Sequence, residues 1–303
     1  MDNQYIDQVH LLFQTLPHIA KEKVFALKGG TAINLFYRDM PRLSVDIDLT
    51  YMPITDYKSS LRNIDEALDR IAISIMATGN IHAQRILGGG GNETRIKVSQ
   101  DATQVKIESV PAMCGAVLPL QTMAACKSAR EKFGFIEMQI LAFEDVFGGK
   151  IHAALDRQHP RDWFDIKVLY ENEGLTDDLF RVFMVYVASS NSPIDELLNP
   201  KAPLLDHLLD RELTGMMHDE VNKEILYETR ERLHADIRKR LTGDIAKFLL
   251  SLHDAEPDFK LIELPKAAQL PAVRWKVQNL EKFKRENPTG HASQRKILEG
   301  LFQ

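Results

Sequence analysis

V-F-A-L-K-G-G-T-A-I-N-L-F-Y-R-D-M-P-R-L-S-V-D-I-D-L-T-Y (24–51) holds the pattern that decides the fold. Residues 24–29 are a short apolar run stopped by glycine, which reads as a buried strand. Residues 31–38 fit a short helix. From 44 to 51 the alternation is strict: Val45, Ile47 and Leu49 fall on one face and Asp46, Asp48 and Thr50 on the other. Gly29-Gly30-Thr31 therefore lies at a strand-to-helix turn. Glycine there permits a tight bend and close backbone approach, and the helix start offers free N–H groups to a phosphate. Asp46 and Asp48 follow, i and i+2 on one strand face. Two parallel carboxylates suit Mg²⁺, which takes oxygen ligands and keeps contact with substrate phosphates. A phosphate-cradling turn beside a metal-binding pair describes phosphoryl or nucleotidyl transfer. The plain alternative is a structural turn next to a solvated surface strand.

Outward from this stretch, strands and helices alternate. Residues 56–78 have a helical period and stop at Gly79-Asn80. Residues 81–87 read as a strand before the glycine run 88–91, while 93–99 and 103–110 alternate as a hairpin. In the second hairpin strand, Lys106 and Glu108 share the polar face. Glu108 is thus a candidate third carboxylate on the surface of Asp46 and Asp48, or a solvent-exposed hairpin residue. Residues 136–141 are a further strand. Helices are expected at 143–157 and 161–172, and beyond them at 176–190, 204–218 and 219–252. The C-terminus reads as helical, interrupted by Pro257, Pro265, Pro271 and Pro288. The fold class is α/β (α+β): a domain at 1–172, then a mostly helical one at 173–303.

The second constellation lies in the helix pair, at Lys150, Arg157, Arg161, Asp162 and Asp165. Lys150 and Arg157 are two turns apart and share a face, as do Asp162 and Asp165. Pro160 is placed to open the second helix. Lys150 suits a charge clamp on a triphosphate, with Asp165 orienting it or an acceptor group. A helix junction stitched by ion pairs is the plain alternative. Trp163 and Phe164 read as core, and His152 and His159 lack the spacing of metal ligands.

The 303 residues are 44% hydrophobic and 27% charged, the balance of a soluble globular chain. Two cysteines, Cys114 and Cys126, are too few for a disulfide framework, so a reducing, cytoplasmic setting is expected. No N-terminal stretch reads as a signal peptide, and no run is long enough to span a bilayer. The net charge of −5 argues against whole-surface nucleic-acid binding, but it is unevenly spread. Residues 260–303 hold nine Lys/Arg and four Asp/Glu, a balance of +5, which leaves −10 on the preceding 259. Such a basic tail either faces an anionic partner or is a solvated helical surface.

The stretch F-A-L-K-G-G-T-A-I-N-L-F-Y-R-D-M-P-R-L-S-V-D-I-D-L-T (25–50) resembles the opening motif of the AbiE-type (AbiEii/AbiGii) nucleotidyltransferase toxins, within the DNA-polymerase-β-like nucleotidyltransferase superfamily. K-I-H-A-A-L-D-R-Q-H-P-R-D-W-F-D-I-K (150–167) resembles that family's downstream Lys helix and Arg-Asp-x-x-Asp motif. The two occur in the family's order, with comparable spacing, across about half of the chain. The resemblance implies a mixed twisted sheet flanked by helices, followed by a helical C-terminal domain. It implies NTP as donor, Mg²⁺ as cofactor, the 3′ end of tRNA as acceptor, and a cognate antitoxin in an abortive-infection system. By the same likeness, Ser44 and Asp46 match the family's Ser-x-Asp, Asp48 its second aspartate, Lys150 the triphosphate lysine and Asp165 the later catalytic acid. Thr31 stands where the family often has Ser. Gly29, Gly30 and Thr31 would hold the phosphates. The third sheet acid varies in the family, so Glu108 stays open. A small-molecule or protein acceptor, or a non-catalytic module that binds NTP or a partner, are the other readings.

Overall fold

The computed structural model describes residues 2–86, 94–111, 113–200, 215–217 and 222–302. The glycine run 88–91, the outer ends of the two strands flanking it, residues 219–221 and most of the expected helix at 204–218 lie outside the described residues. Packing divides the chain into two compact units: Met1–Val146 with Leu213–Glu220, and Phe147–Glu212 with Val221–Gln303.

The first unit is built on a seven-stranded mixed sheet. Its strands are β1 (Phe25–Lys28), β2 (Asp46–Tyr51), β3 (His82–Ile86), β4 (Arg95–Gln100), β5 (Thr103–Ser109), β6 (Gln121–Ala124) and β7 (Glu137–Ile140). They lie in the order β3-β4-β5-β2-β1-β7-β6. The β2–β5 and β1–β7 pairs are parallel and the others antiparallel. The expected hairpin forms as β4 and β5, turning at Asp101 with φ of +48°. Helices α1 (Asn3–Ala20) and α3 (Tyr57–Met76) pack together, α1 over β5 and β7 and α3 over β3 and β4. Their apolar faces meet buried Ile96, Val98, Val105 and Ile107. Burying each such side chain is worth about 1.5–3 kcal/mol, which fixes the strand register and turns the alternate, polar residues to the opposite face. Helix α3 starts where Asp56 accepts a hydrogen bond from Ser59 N (3.0 Å) and ends before Gly79, at φ of +89°. Helix α1, the edge strand β6 and the short α4 (Lys127–Phe133) were not among the expected elements. A four-residue strand such as Gln121–Ala124 carries too little periodicity to stand out.

The second unit is helical. After α5 (Phe143–Arg157) come α6 (Pro160–Asn172), α7 (Asp177–Val187), α8 (Ile194–Leu198), α9 (Lys223–Arg240), α10 (Gly243–His253), α11 (Pro271–Glu286) and α12 (Pro288–Gly300). Pro160 sits in the first turn of α6, as expected. The segment expected as one helix over 219–252 is two, broken at Leu241-Thr242. Arg238, Lys239 and Arg240 close α9, where cations complement the helix dipole. Pro265, Pro271 and Pro288 do not merely interrupt helices; each opens one, since the first turn needs no N–H from them. Trp163 is fully buried, in keeping with a core role.

Candidate active site

The glycine turn and the acidic strand meet in the first unit. Strand β1 runs directly into α2 (Gly29–Ala32), which opens two residues earlier than expected and continues as a π-type turn at Ile33–Tyr37. The antiparallel register of β1 and β2 sets Lys28 opposite Asp48. Gly29 has φ of +72°, and a Cβ built on it would lie 2.5 Å from Asp48 Oδ2. A Cβ on Gly30 would lie 2.8 Å from Ser44 Oγ and 3.0 Å from Arg42 Nη2. Both glycines are therefore required by contact: the backbone of the turn lies directly against the groups that lead into and line β2. Thr31 is fully buried. Its Oγ1 donates to the Asp46 main-chain oxygen at 2.5 Å and lies 3.1 Å from Ser44 Oγ. This hydroxyl ties the turn to β2. Asp46 and Asp48 share one strand face and are half-buried, while Ile47 between them is fully buried.

Glu108 joins this face through register. Parallel pairing of β2 with β5 puts Asp46 beside Lys106 and Asp48 beside Glu108. Glu108 accepts from Arg95 Nε at 2.7 Å, and Lys106 Nζ lies 3.0 Å from its other oxygen. Burial works against the Glu108 charge, but the hydrogen bonds and charges of Arg95 and Lys106 outweigh it and hold the carboxyl below its ordinary value.

Lys150 and Asp165, expected to act together, are in contact in the second unit. Lys150 Nζ lies 2.8 Å from Asp162 Oδ1 and 2.9 Å from Asp165 Oδ2. Arg157 grips Asp162 through Nε at 2.6 Å and Nη2 at 2.8 Å, as the shared face of Lys150 and Arg157 implies. Lys150 is 6% exposed, Asp162 0% and Asp165 1%, so these charges rely on one another for solvation. Burial opposes ionisation of Asp162, yet Lys150 and Arg157 prevail and hold it well below the usual carboxylate range. His159 caps α6 by accepting from Arg161 N at 3.2 Å.

Two residues escaped the sequence reading. Asp162 was noted only as a neighbour of Asp165, though it is the carboxylate that binds both cations. Arg42 is 3% exposed, and its Nη1 donates to Leu43 O at 2.9 Å. Its backbone is pinned by a bridge to Met217 and by Leu43 N donating to Met216 O. The signal for it was present: in R-L-S-V-D-I-D, Arg42, Ser44, Asp46 and Asp48 alternate with apolar residues.

The donor set suits a hard divalent ion. Asp46 and Asp48 offer carboxylate oxygen, and two protein ligands leave positions for phosphate and water. Among the described residues no group of three or more His, Cys, Asp or Glu side chains converges on a cation position. The cysteines are free, and burial pushes both thiols up to about 11, which disfavours the thiolate at neutral pH. No helix among the described residues is long and apolar enough to cross a membrane.

Comparison with known proteins bears on the family and the fold of the chain. The family described as nucleotidyl transferase AbiEii toxin, Type IV TA system, matches residues 10–279. No curated protein matches the chain. Among solved structures, the chain is similar to MenT4, a nucleotidyltransferase toxin from Mycobacterium tuberculosis H37Rv. The TM-score is 0.56 at 14% identity, covering 91% of this chain and 90% of that one, so the likeness is one of fold.

Proposed function

The chain belongs to the AbiEii family of nucleotidyltransferase toxins of Type IV toxin–antitoxin systems, and from that premise we propose that it transfers a nucleotide from an NTP to the 3′ end of tRNA in the cytoplasm, with Mg²⁺. Capping that end blocks aminoacylation and arrests growth until a cognate antitoxin counteracts it; the setting is abortive infection. The observation that carries the reading is the seating of the Gly29 backbone against the Asp48 carboxylate, with Ser44 and Thr31 completing the turn. A triphosphate held by the Gly30 and Thr31 amides would lie beside both acids.

Asp46 and Asp48 would hold Mg²⁺, which when bound neutralises charge on the triphosphate. Ser44 steadies the turn for the phosphates. On the family likeness, Lys150 counters the charge of the triphosphate, and Asp165, 2.9 Å from its ammonium, orients it. Glu108, held ionised by two cations, is a weak base and serves to position the acceptor hydroxyl. Positioning and electrostatics supply most of the rate in such transfers. In this reading the transferase domain runs through residue 172, on the family likeness of the Lys150 helix pair, and 173–303 is the helical domain with the basic tail.

The test incubates the purified protein with Mg²⁺, each labelled NTP in turn, and total tRNA. Label is expected at the tRNA 3′ end, and Asp46→Ala and Lys150→Ala should each abolish both labelling and growth arrest. Full activity of Asp46→Ala, or label on protein with none on RNA, rejects the assignment.

A further inference from the structure

The outer face of α11 is unlike an ordinary solvated helix surface. The helix seats Ala272, Val273, Lys276 and Leu280 inward, and Lys276 Nζ donates to Ser192 O at 2.6 Å. The opposite face carries Arg274, Trp275, Gln278, Lys282 and Arg285, which fall within about a third of the circumference at 3.6 residues per turn. All five are exposed, as are Glu281 and Glu286 at the two edges of this face, the latter 3.6 Å from Arg285 Nη2. Trp275 is 58% exposed, whereas Trp163, the chain's other tryptophan, is fully buried. An indole left more than half in water, beside three cations and two flanking carboxylates, is not placed there chiefly to pack this helix. It matches what single-stranded nucleic acid needs: a flat surface for a base and fixed positive charge for the phosphates on either side. An acidic protein would use the charge but gain less from an aromatic plane flanked on one helix face by cations.

We propose that this face of α11 binds single-stranded RNA, with Trp275 stacking on a base and Arg274, Lys282 and Arg285 contacting phosphates. The inference deepens the reading of RNA as acceptor and rests on it for the biological ligand. Its test is a binding measurement that needs no transfer, so the two can fail separately.

A short oligouridylate is titrated into the full-length protein while tryptophan emission is followed. Stacking should quench Trp275, and Trp163, sealed in the core, should not respond. Trp275→Ala should weaken binding by about fivefold or more. Neutralising Arg274, Lys282 and Arg285 together to Gln should reduce the slope of log K against log salt by about 2, at 0.7 per phosphate contact. Both variants should melt like the parent, because the altered side chains are exposed. Heparin, with charge but no bases, should compete without quenching. The proposal is overturned if RNA binds with no change in emission and no loss in Trp275→Ala, if the protein binds no oligouridylate, or if polyglutamate quenches as strongly as RNA. If the face binds RNA but tRNA is never labelled, the surface stands and the acceptor assignment falls.

Discussion

At Gly29 a single hydrogen atom separates a working turn from a collision. The residue combines φ of +72° with an Asp48 oxygen 2.5 Å from where a Cβ would sit. Gly29→Ala is expected to destabilise the protein by about 1–2 kcal/mol through backbone strain and to displace the Asp48 carboxylate. Transfer should fall by far more than stability, on the order of 100-fold, because small misplacements at a reacting centre are costly. Thermal melting and single-turnover rates measure the two effects. A variant that melts lower but transfers normally would show that Asp48 tolerates displacement. The Gly29-Gly30 turn and the shared face of Asp46 and Asp48 were legible in the sequence, because strand alternation and turn chemistry are local, whereas Ser44 stood out only through the family likeness. The part played by Thr31 was less legible. Its hydroxyl reaches across to the Asp46 carbonyl, a contact made across the turn that spacing alone does not reveal.

At the scale of elements, the α5–α6 pair shows how buried charges hold helices in one arrangement. Lys150, Arg157, Asp162 and Asp165 balance two positive against two negative charges, with Asp162 fully buried. Asp162→Ala would leave Lys150 paired with Asp165 and Arg157, which is 60% exposed, turned to water, and should cost about 1–3 kcal/mol, read from urea unfolding. A loss under about 1 kcal/mol would mean that water or neighbouring groups replace the carboxylate. The folded-state pKa of Asp162 is depressed, so its contribution is complete above the ordinary carboxylate value and is lost as pH falls below it. Helix positions here were readable from periodicity and from Pro160. The place of Asp162 between Lys150 and Arg157 was not, since both acids share the face and only packing sets which cations each one meets.

For the whole molecule, pH acts through histidines that are partly buried, as His18 and His234 are, or fully buried, as His253 is. His18, His234 and His253 are all held below their ordinary value, each chiefly by burial. His253 and His291 stack at 4.2 Å between ring centroids, and each Nε2 lies within hydrogen-bond distance of the other's carbonyl oxygen, at 3.0 and 2.9 Å. A histidine with a depressed folded pKa binds protons more tightly when unfolded. Its stabilising contribution is therefore complete above about pH 6.5 and declines as pH falls through that value toward the folded pKa. The melting midpoint should drop between about pH 7 and 5, well before carboxylates titrate. A flat or rising midpoint over that interval contradicts the burial of these rings. The charge asymmetry along the chain was visible from composition, but not its sorting: Lys276 turns inward and Arg295 pairs with Asp254, while Arg274, Lys282 and Lys296 stay exposed.

By itself the sequence determined that a glycine turn, an acidic strand and a later lysine helix follow one another in a nucleotidyltransferase order, since alternation, helical period and turn residues act over a few positions. Tertiary structure alone decided which groups meet: Asp48 under Gly29, Arg42 beside Gly30, Glu108 between Arg95 and Lys106, and Asp162 between Lys150 and Arg157. Those meetings follow from strand register and helix packing, which are set by burying apolar faces contributed from distant parts of the chain. No local pattern encodes that pairing.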